Sequence, residues 1–310
     1  MKNASDFHQI QISAVIPTYN RGNLIERAIK SAFSQSFSPS EIIIVDDGSV
    51  DNTKEIVSRF GEPVRYFYQE NAGSAVARNH GVKEARSDWV AFLDSDDLWA
   101  KDHLLRMAKA IASTSGQANY YFADTLEPEN RGGELLWTKI GFAVEEPFKL
   151  FADGTDIVLM RGNQPMMLQS SVIKKDAFDS CGGFLKELRY RDDTHLFMRL
   201  GLGQPICAVA GCGAVATADD VVENRLTLTF DHTEAGAYMN VIMYNDLLQT
   251  LDDLSEKSKS ELRRRLGGSL RVMARRSWEQ GEHQKAAYYL TRAAFVDPQR
   301  LIQRILTKIN

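Results

Sequence analysis

Three carboxylates crowd together at Asp94, Asp96 and Asp97, directly after the apolar run Trp89-Val90-Ala91-Phe92-Leu93. Like charges at that spacing repel one another. A hard divalent cation relieves the repulsion, and Mg²⁺ typically takes one or two carboxylates plus phosphate oxygens. The apolar run reads as a buried strand, and open α/β sheets place their ligands at the carboxyl ends of such strands. The stretch is therefore a candidate metal–diphosphate site. Taken alone it equally fits a strand end followed by an Asp-rich helix cap, with Asp97 before Leu98-Trp99.

The elements that would carry such a site follow from the pattern around it. Ile12 to Pro17 is an apolar run stopped by Pro17-Thr18-Tyr19-Asn20, residues that end a strand sharply. A helix is expected from about Gly22 to Ser36, with Leu24, Ile25, Ala28, Ile29, Ala32 and Phe33 on one face. Glu41 to Val45 is a second strand, ending in Asp46-Asp47-Gly48-Ser49, and Asp51-Asn52-Thr53 caps a helix to about Phe60. Val64 to Gln69 reads as a third strand and Ala75 to Ala85 as the next helix, carrying Arg78 and Asn79. Strand and helix thus alternate four times in about a hundred residues, which argues for a doubly wound, mostly parallel sheet with helices on both faces. Polar residues gather where the first, second and fourth strands end, so those ends should line one crevice.

Four motifs now stand in order: Val15-Ile16-Pro17-Thr18-Tyr19-Asn20-Arg21; Ile44-Val45-Asp46-Asp47-Gly48-Ser49 with Asp51-Asn52-Thr53; Asn71-Ala72-Gly73 with Ala77-Arg78-Asn79; and Phe92-Leu93-Asp94-Ser95-Asp96-Asp97. Their order and spacing resemble those of family 2 glycosyltransferases, over roughly residues 10 to 232 and more loosely after about 100. The resemblance implies a GT-A fold and a nucleotide-sugar donor, a UDP-sugar above all. It implies that Asp96, with Asp94, holds a divalent metal (Mn²⁺ or Mg²⁺). It implies a donor pocket of Pro17, Thr18, Tyr19, Asn20, Asp47, Arg78, Asp94 and Ser95. In that pocket Asp47 accepts the uracil N–H, Thr18 and Tyr19 contact the base, and Arg78 contacts the diphosphate or supports the acids. Downstream, Arg189-Tyr190-Arg191-Asp192-Asp193-Thr194-His195 resembles the acidic pair that opens the family's acceptor-side helix, and Asp193 aligns with its general base. The bare residues of that pair also fit a helix cap at the positive dipole end. Inversion at the anomeric carbon follows from the family alone. The family often adds a His ligand past Ile206–Ala210; here Asp219-Asp220 lies in that region and His232 comes later.

Several stretches carry less. Asp102 to Ser113 reads as a helix with His103 on its surface, Asn119 to Asp124 and Met166 to Ile173 as strands. The segment to Asn163 is where the family builds acceptor recognition. Its aromatics Trp137, Phe142, Phe148 and Phe151 could stack on a sugar, but closing a small core under a long loop is the stronger reading. Three cysteines, Cys181, Cys207 and Cys212, match no common zinc spacing and read as reduced structural thiols.

From about Thr233 long helices are expected: Ala235 to Asp252, Glu256 to Gln280 and Gln284 to Phe295. Trp278 to Ala287 and Ala293 to Pro298 resemble one tetratricopeptide-type hairpin, which must pack on the body, a second copy or a partner protein to bury its face. The division expected is residues 1–232 as a GT-A domain (about 10–125 for the nucleotide-sugar, 126–232 for the acceptor) and 233–310 as a helical region. Charge divides the same way: Glu256 to Asn310 holds 13 Lys+Arg against 5 Asp+Glu, a net +8, which leaves −12 of the total −4 for the rest. With amphipathic Gln299 to Ile309, this opens peripheral contact with an anionic membrane, though packing on the preceding helices is the commoner explanation. No nucleic-acid partner is expected.

No apolar run approaches the roughly 20 residues of a membrane span, and Met1 to His8 has no signal core. A cytoplasmic protein is expected, with an optional place at the inner face of the membrane. The implied activity is metal-dependent transfer of a sugar to a saccharide or lipid-linked glycan in bacterial surface polysaccharide or glycoconjugate assembly. The alternative is a catalytically inactive relative acting through its helical region. A dinucleotide-dependent oxidoreductase is disfavoured, since no Gly-x-Gly-x-x-Gly or Walker-type loop follows an early strand.

Overall fold

The computed structural model describes residues 6–217 and 233–298. Asp220, His232 and the segment Gln299 to Ile309 lie outside them.

The fold centres on four parallel strands: β1 (Ile12–Thr18), β2 (Glu41–Asp46), β3 (Val64–Tyr68) and β4 (Trp89–Phe92). They lie in the order β3-β2-β1-β4, so the chain steps outward from β1 twice and then returns to its other side. Beyond β4 the sheet continues with β8 (Ser171–Lys174), β6 (Tyr120–Leu126), β9 (Ile206–Val215) and β5 (Leu98–Trp99), with β7 (Phe148–Phe151) also on β9. β8 runs antiparallel to β4 and β6, and β5 and β7 antiparallel to β9. The expected parallel sheet is thus the first half of a mixed one. In the second half β6 and β9 also run parallel, while its antiparallel pairs need no covering crossover helix.

Both faces of the central strands are buried, which is why they read as unbroken apolar runs. Ile12, Ala14, Ile16, Ile42 and Ile44 face one apolar cluster, together with Ile25, Ala28, Ile29 and Ala32 of α1 (Ile25–Phe33) and Leu104, Met107, Ala108 and Ile111 of α4 (His103–Ser113). Val15, Ile43, Val45 and Phe92 face the other, under α3 (Ser74–Glu84). The one-residue alternation along β1 and β2 is the period-2 geometry of a strand. Between α1 and α3 a short α2 (Thr53–Val57) follows β2. His103 is fully buried rather than on the surface: it packs 5.5 Å from the Trp99 ring, and burial drives its pKa down to about 3, which keeps it neutral.

The aromatic segment after β6 behaves as core. Trp137, in α5 (Leu136–Ile140), is 4.8 Å from Phe142 edge-on, and both are buried. The stretch from Met166 is strand only from β8; Leu168–Ser170 forms one 3₁₀ turn before it. Cys207 is buried, with its thiol pushed up to about 12 by burial, and all three cysteines are free. α6 (Lys175–Ser180) and α7 (Asp192–Gly201) follow β8.

The C-terminal helices α8 (Glu234–Thr250), α9 (Glu256–Glu279) and α10 (His283–Val296) follow at the expected places. α8 and α9 share the second apolar cluster: Val241, Met243, Tyr244, Leu247, Leu262, Leu266 and Leu270 belong to one core with Leu196, Phe197 and Val158. α10 buries only Ala286 and Ala293 and leaves Tyr288, Leu290 and Phe295 exposed. No helix among the described residues is long and apolar enough to cross a membrane.

Candidate active site

A cavity of about 1210 Å³ opens where β1, β2 and β4 end. The reversal of strand order at β1 makes this the crevice in which an open α/β sheet binds ligands. Of the residues expected there, Pro17, Thr18, Tyr19, Asp47, Arg78, Asp94, Ser95, Asp96 and Asp193 all line it. Asn20 does not appear in its wall. With φ at +50°, Asn20 turns the chain off β1; its side chain accepts the Val50 N–H at 2.9 Å and its own N–H donates to Ser49 Oγ at 2.8 Å. Asn20 thus ties the ends of β1 and β2 together.

The strand ends differ in what they offer. Thr18 is 3% exposed and its Oγ1 has no hydrogen-bond partner among the described residues, whereas Tyr19 is 47% exposed. A buried hydroxyl beside an open aromatic face suits a planar base. Asp47 is already engaged: its carboxylate accepts Gln69 Nε2 at 2.7 Å and the N–H groups of Ala72 and Gly73 at 2.9 and 2.8 Å. A carboxylate has about four acceptor sites, so Asp47 fixes the 71–73 turn and keeps capacity for one more donor. The motif containing Asn71-Ala72-Gly73 is explained by this contact, with Gly73 at φ +94° heading α3.

Arg78 is the centre of the charge network. Its guanidinium donates to Asp94 Oδ1 at 2.9 Å and to Asp192 Oδ2 at 2.8 Å, and it stands 5.5 Å above the Phe184 ring. Burial opposes its charge, but Asp94 and Asp192 more than offset that and raise its pKa. α3 can deliver Arg78 there because Gly81, one turn on, lies directly against β1; a Cβ at Gly81 would stand 2.3 Å from Val15 Cγ1. Asn79 closes the other side, accepting the Phe184 N–H at 2.9 Å and donating to the Phe184 carbonyl at 2.8 Å. So Arg78-Asn79 joins the β4 acid turn to the loop that leads into α7.

In that loop Arg191 adopts φ +61° and Asp192-Asp193 open α7. Asp193 is half-buried, with one carboxylate oxygen accepting the Thr194 N–H at 2.6 Å. Burial first, and the neighbouring Asp192 charge second, hold its pKa above the usual carboxylate range. A raised pKa makes a carboxylate a stronger base.

The Asp94-Ser95-Asp96-Asp97 stretch is a tight turn, with the Asp97 N–H donating to the Asp94 carbonyl at 3.0 Å. It leads into strand β5, not a helix, so Asp97 caps nothing. Its carboxylate, 8% exposed, instead accepts Gln169 Nε2 at 3.0 Å and the Thr217 N–H at 2.9 Å, locking β4 to the segments before β8 and after β9. Asp94, which keeps its ion pair with Arg78, and Asp96 stand on the same cavity wall. Two carboxylates completed by phosphate oxygens fit Mg²⁺ or Mn²⁺. Among the described residues no group of three His, Cys, Asp or Glu could hold a metal ion by itself.

Sequence reasoning named Asn79 in its motif but not its contact with Phe184, and it missed Gln69, Gln169 and Asp192's pairing with Arg78. Their roles rest on contacts between segments 22 to 114 residues apart.

The family model described as glycosyl transferase family 2 matches residues 13–166. An uncharacterised glycosyltransferase of Rickettsia felis is 44% identical over 120 residues, covering 38% of this chain and 19% of that protein. TuaG of Bacillus subtilis, a glycosyltransferase named for teichuronic acid biosynthesis, is 43% identical over 108 residues, 34% of this chain and 43% of TuaG. The chain thus spans about a fifth of the first relative's length and less than half of the second's. S. aureus TarS 1–349, solved in complex with UDP-GlcNAc, superposes with a TM-score of 0.67 at 19% identity, over 94% of this chain and 82% of that 1–349 chain. Through residues 13–166 the chain belongs to glycosyl transferase family 2, on a GT-A fold.

Proposed function

We propose that the chain transfers a sugar from a UDP-sugar to a hydroxyl of a saccharide or lipid-linked glycan, in bacterial surface polysaccharide or glycoconjugate assembly. The observation that carries this reading is the cavity itself: the strand-end residues Pro17, Thr18, Tyr19 and Asp47, the Asp94–Asp96 turn and Asp193 all line one space. In this reading the base of the nucleotide lies against Tyr19 and Thr18, and the last acceptor site of Asp47 takes its N–H. The diphosphate lies beside Asp94 and Asp96, which would hold Mn²⁺ or Mg²⁺; a cation bound there neutralises the leaving diphosphate. Ser95 lines the same wall. Arg78 holds Asp94 and Asp192 in place through its two ion pairs.

Asp193 accepts the proton of the acceptor hydroxyl as its oxygen bonds to the anomeric carbon, while the bond to the nucleoside diphosphate breaks. Attack opposite the leaving group gives inversion. Residues 1–232 form the transferase domain in this reading, with about 10–125 on the donor side and 126–232 on the acceptor side, and 233–310 the helical region. The helical region also remains the candidate for contact with a membrane surface, a second copy or a partner protein.

The test is UDP release from a panel of UDP-sugars, with and without Mn²⁺. At least one donor should be hydrolysed slowly and only with the cation. Release from none of them, with UDP failing to bind, would favour the alternative of an inactive relative acting through its helices.

A further inference from the structure

Asp47 is held from behind by two residues outside the cavity wall. Gln69, the residue after β3, gives its Nε2 to Asp47 Oδ1 at 2.7 Å. His80, in α3, stands behind Gln69, with its Nδ1 2.8 Å from Gln69 Oε1 and its ring 5.6 Å from that of Phe67. Both are half-buried and neither stands in the cavity wall, whereas Asp47 is 4% exposed and does. The three side chains form one file from α3 to the cavity.

The polarity of this file is fixed at its Asp47 end. An ionised carboxylate only accepts, so the Gln69 amide turns its NH₂ group to Asp47 and its carbonyl to His80. That carbonyl in turn needs a donor, which makes Nδ1 the protonated nitrogen of a neutral His80. With the other tautomer, two lone pairs would meet at 2.8 Å. Turning the amide over would relieve that contact only by setting Gln69 Oε1 against the Asp47 carboxylate.

The bonds also say which carboxylate oxygen is left open. Gln69 Nε2 and the Ala72 N–H, at 2.7 and 2.9 Å, fill Oδ1, while only the Gly73 N–H, at 2.8 Å, reaches Oδ2. With about two acceptor sites on each oxygen, the open one lies on Oδ2. The Asn71 side chain, donating to the Asp47 carbonyl at 2.9 Å, holds the backbone of the same residue. Asp47 thus offers one acceptor site in one direction, and it cannot rotate without breaking its bond to Gln69. Uracil presents an N3–H to such a site. Cytosine presents the N3 lone pair there, with its N4–H₂ donor to one side. A carboxylate held still takes uracil and repels cytosine, whereas one free to rotate reaches the cytosine amino group.

Resting on the UDP-sugar reading above, we propose that Gln69 and His80 are positioning residues for base selection: by holding Asp47 still, they make the site take uracil over cytosine. Neither touches the nucleotide. Their effect is one of orientation, so it bears on which base binds rather than on the proton transfer at Asp193.

The experiment compares binding of UDP and CDP to the full chain with Mn²⁺, by calorimetry. The wild type should prefer UDP by about tenfold or more, the worth of a hydrogen bond to a charged acceptor. Gln69→Met keeps the side-chain length and loses the bond, and should bring the two affinities within about threefold of each other. His80→Phe should lower the preference as well, and His80→Asn, whose amide N–H falls near the place of Nδ1, should retain it. A purely structural role would weaken UDP and CDP alike. A UDP-to-CDP ratio unchanged in Gln69→Met or in His80→Phe therefore overturns the proposal, as does equal binding of the two by the wild type. ¹⁵N NMR of the wild type gives a second reading that needs no variant. At about pH 8.5, where an ordinary imidazole is neutral, His80 should carry its proton on Nδ1, and a proton on Nε2 overturns the proposal. Failure of UDP and CDP both to bind the wild type would contradict the donor reading itself, and the base selection with it.

Discussion

At the scale of single residues, the site separates charges that would otherwise repel. Arg78 is 11% exposed and bridges two carboxylates, so removing it strands both. Breaking such a buried pair costs about 3–5 kcal/mol. Arg78→Met is therefore expected to lower the urea midpoint of unfolding markedly, whereas Arg78→Met combined with Asp192→Asn should recover part of the loss. A midpoint unchanged by Arg78→Met would show that the acids do not need it. The state of Asp193 follows the same charges. Burial raises its pKa first and Asp192 raises it further, so Asp192→Asn should move the acidic limb of the kcat/KM profile to lower pH. A limb that stays put or moves up would remove Asp192 from the account.

The acids, Arg78 and the strand-end polar groups were legible in the sequence because each lies within a few residues of an apolar run that announces its strand. Asp47 and Asp97 were legible as members of motifs but not in their contacts. Their carboxylates bind segments 22 or more residues away, a pairing that no local pattern encodes. His103 was misjudged for the same reason: periodicity cannot tell that β9 and Trp99 cover that face of α4.

At the scale of elements, close approach does the positioning. Gly81 sets α3 on β1, and it is needed for space rather than for an unusual backbone. Gly81→Ala gains helix propensity, about 1 kcal/mol, but overpacking against Val15 costs about 1–3 kcal/mol. A net loss of stability is expected, relieved when Val15→Ala is added. An additive double mutant would mean that the two side chains do not meet. The pair between α7 and α8 has a pH signature. Burial opposes ionisation of Asp246, yet the hydrogen bond and charge of His195, with Arg199, hold its pKa below the model-compound value near 4. A carboxylate depressed in the folded state stabilises above its unfolded pKa and loses that contribution as pH falls through the folded pKa. Stability should thus decline below about pH 4, and Asp246→Asn should flatten part of that decline. Equal acid sensitivity in both proteins would argue against the pair.

The strand and helix positions of the first hundred residues were readable because parallel strands buried on both faces are continuous apolar runs. Later on, the helix after Asp102, the strand from about Asn119 and the C-terminal helices were readable too, but the pairing of the outer strands was not: β5 has only two residues, and β7 and β9 pair across 55 or more residues that include β8, α6 and α7.

At the scale of the whole molecule, the sequence divides at about residue 233 but the packing does not. α8 and α9 share a core with α7, and their residues Tyr244 and Arg265 enter the wall of the cavity. Removal of residues 234–310 should leave Leu196, Phe197 and Val158 uncovered, and the remaining chain should aggregate or fail to fold cooperatively, as size-exclusion chromatography and thermal melting would report. A monomeric, cooperatively melting fragment would contradict that shared core.

The central claim is that one cavity holds two functions, a donor side at Asp96 and a base at Asp193. The direct measurement is UDP binding and sugar transfer by the wild type, Asp96→Ala and Asp193→Asn, each with and without Mn²⁺. Loss of a general base typically costs 10²–10⁴-fold in rate, so transfer should fall by about that much in Asp193→Asn with metal-dependent UDP binding intact. Asp96→Ala should lose transfer and the metal-dependent part of UDP binding together. Indistinguishable UDP binding in the two variants, with and without Mn²⁺, would contradict the division of roles.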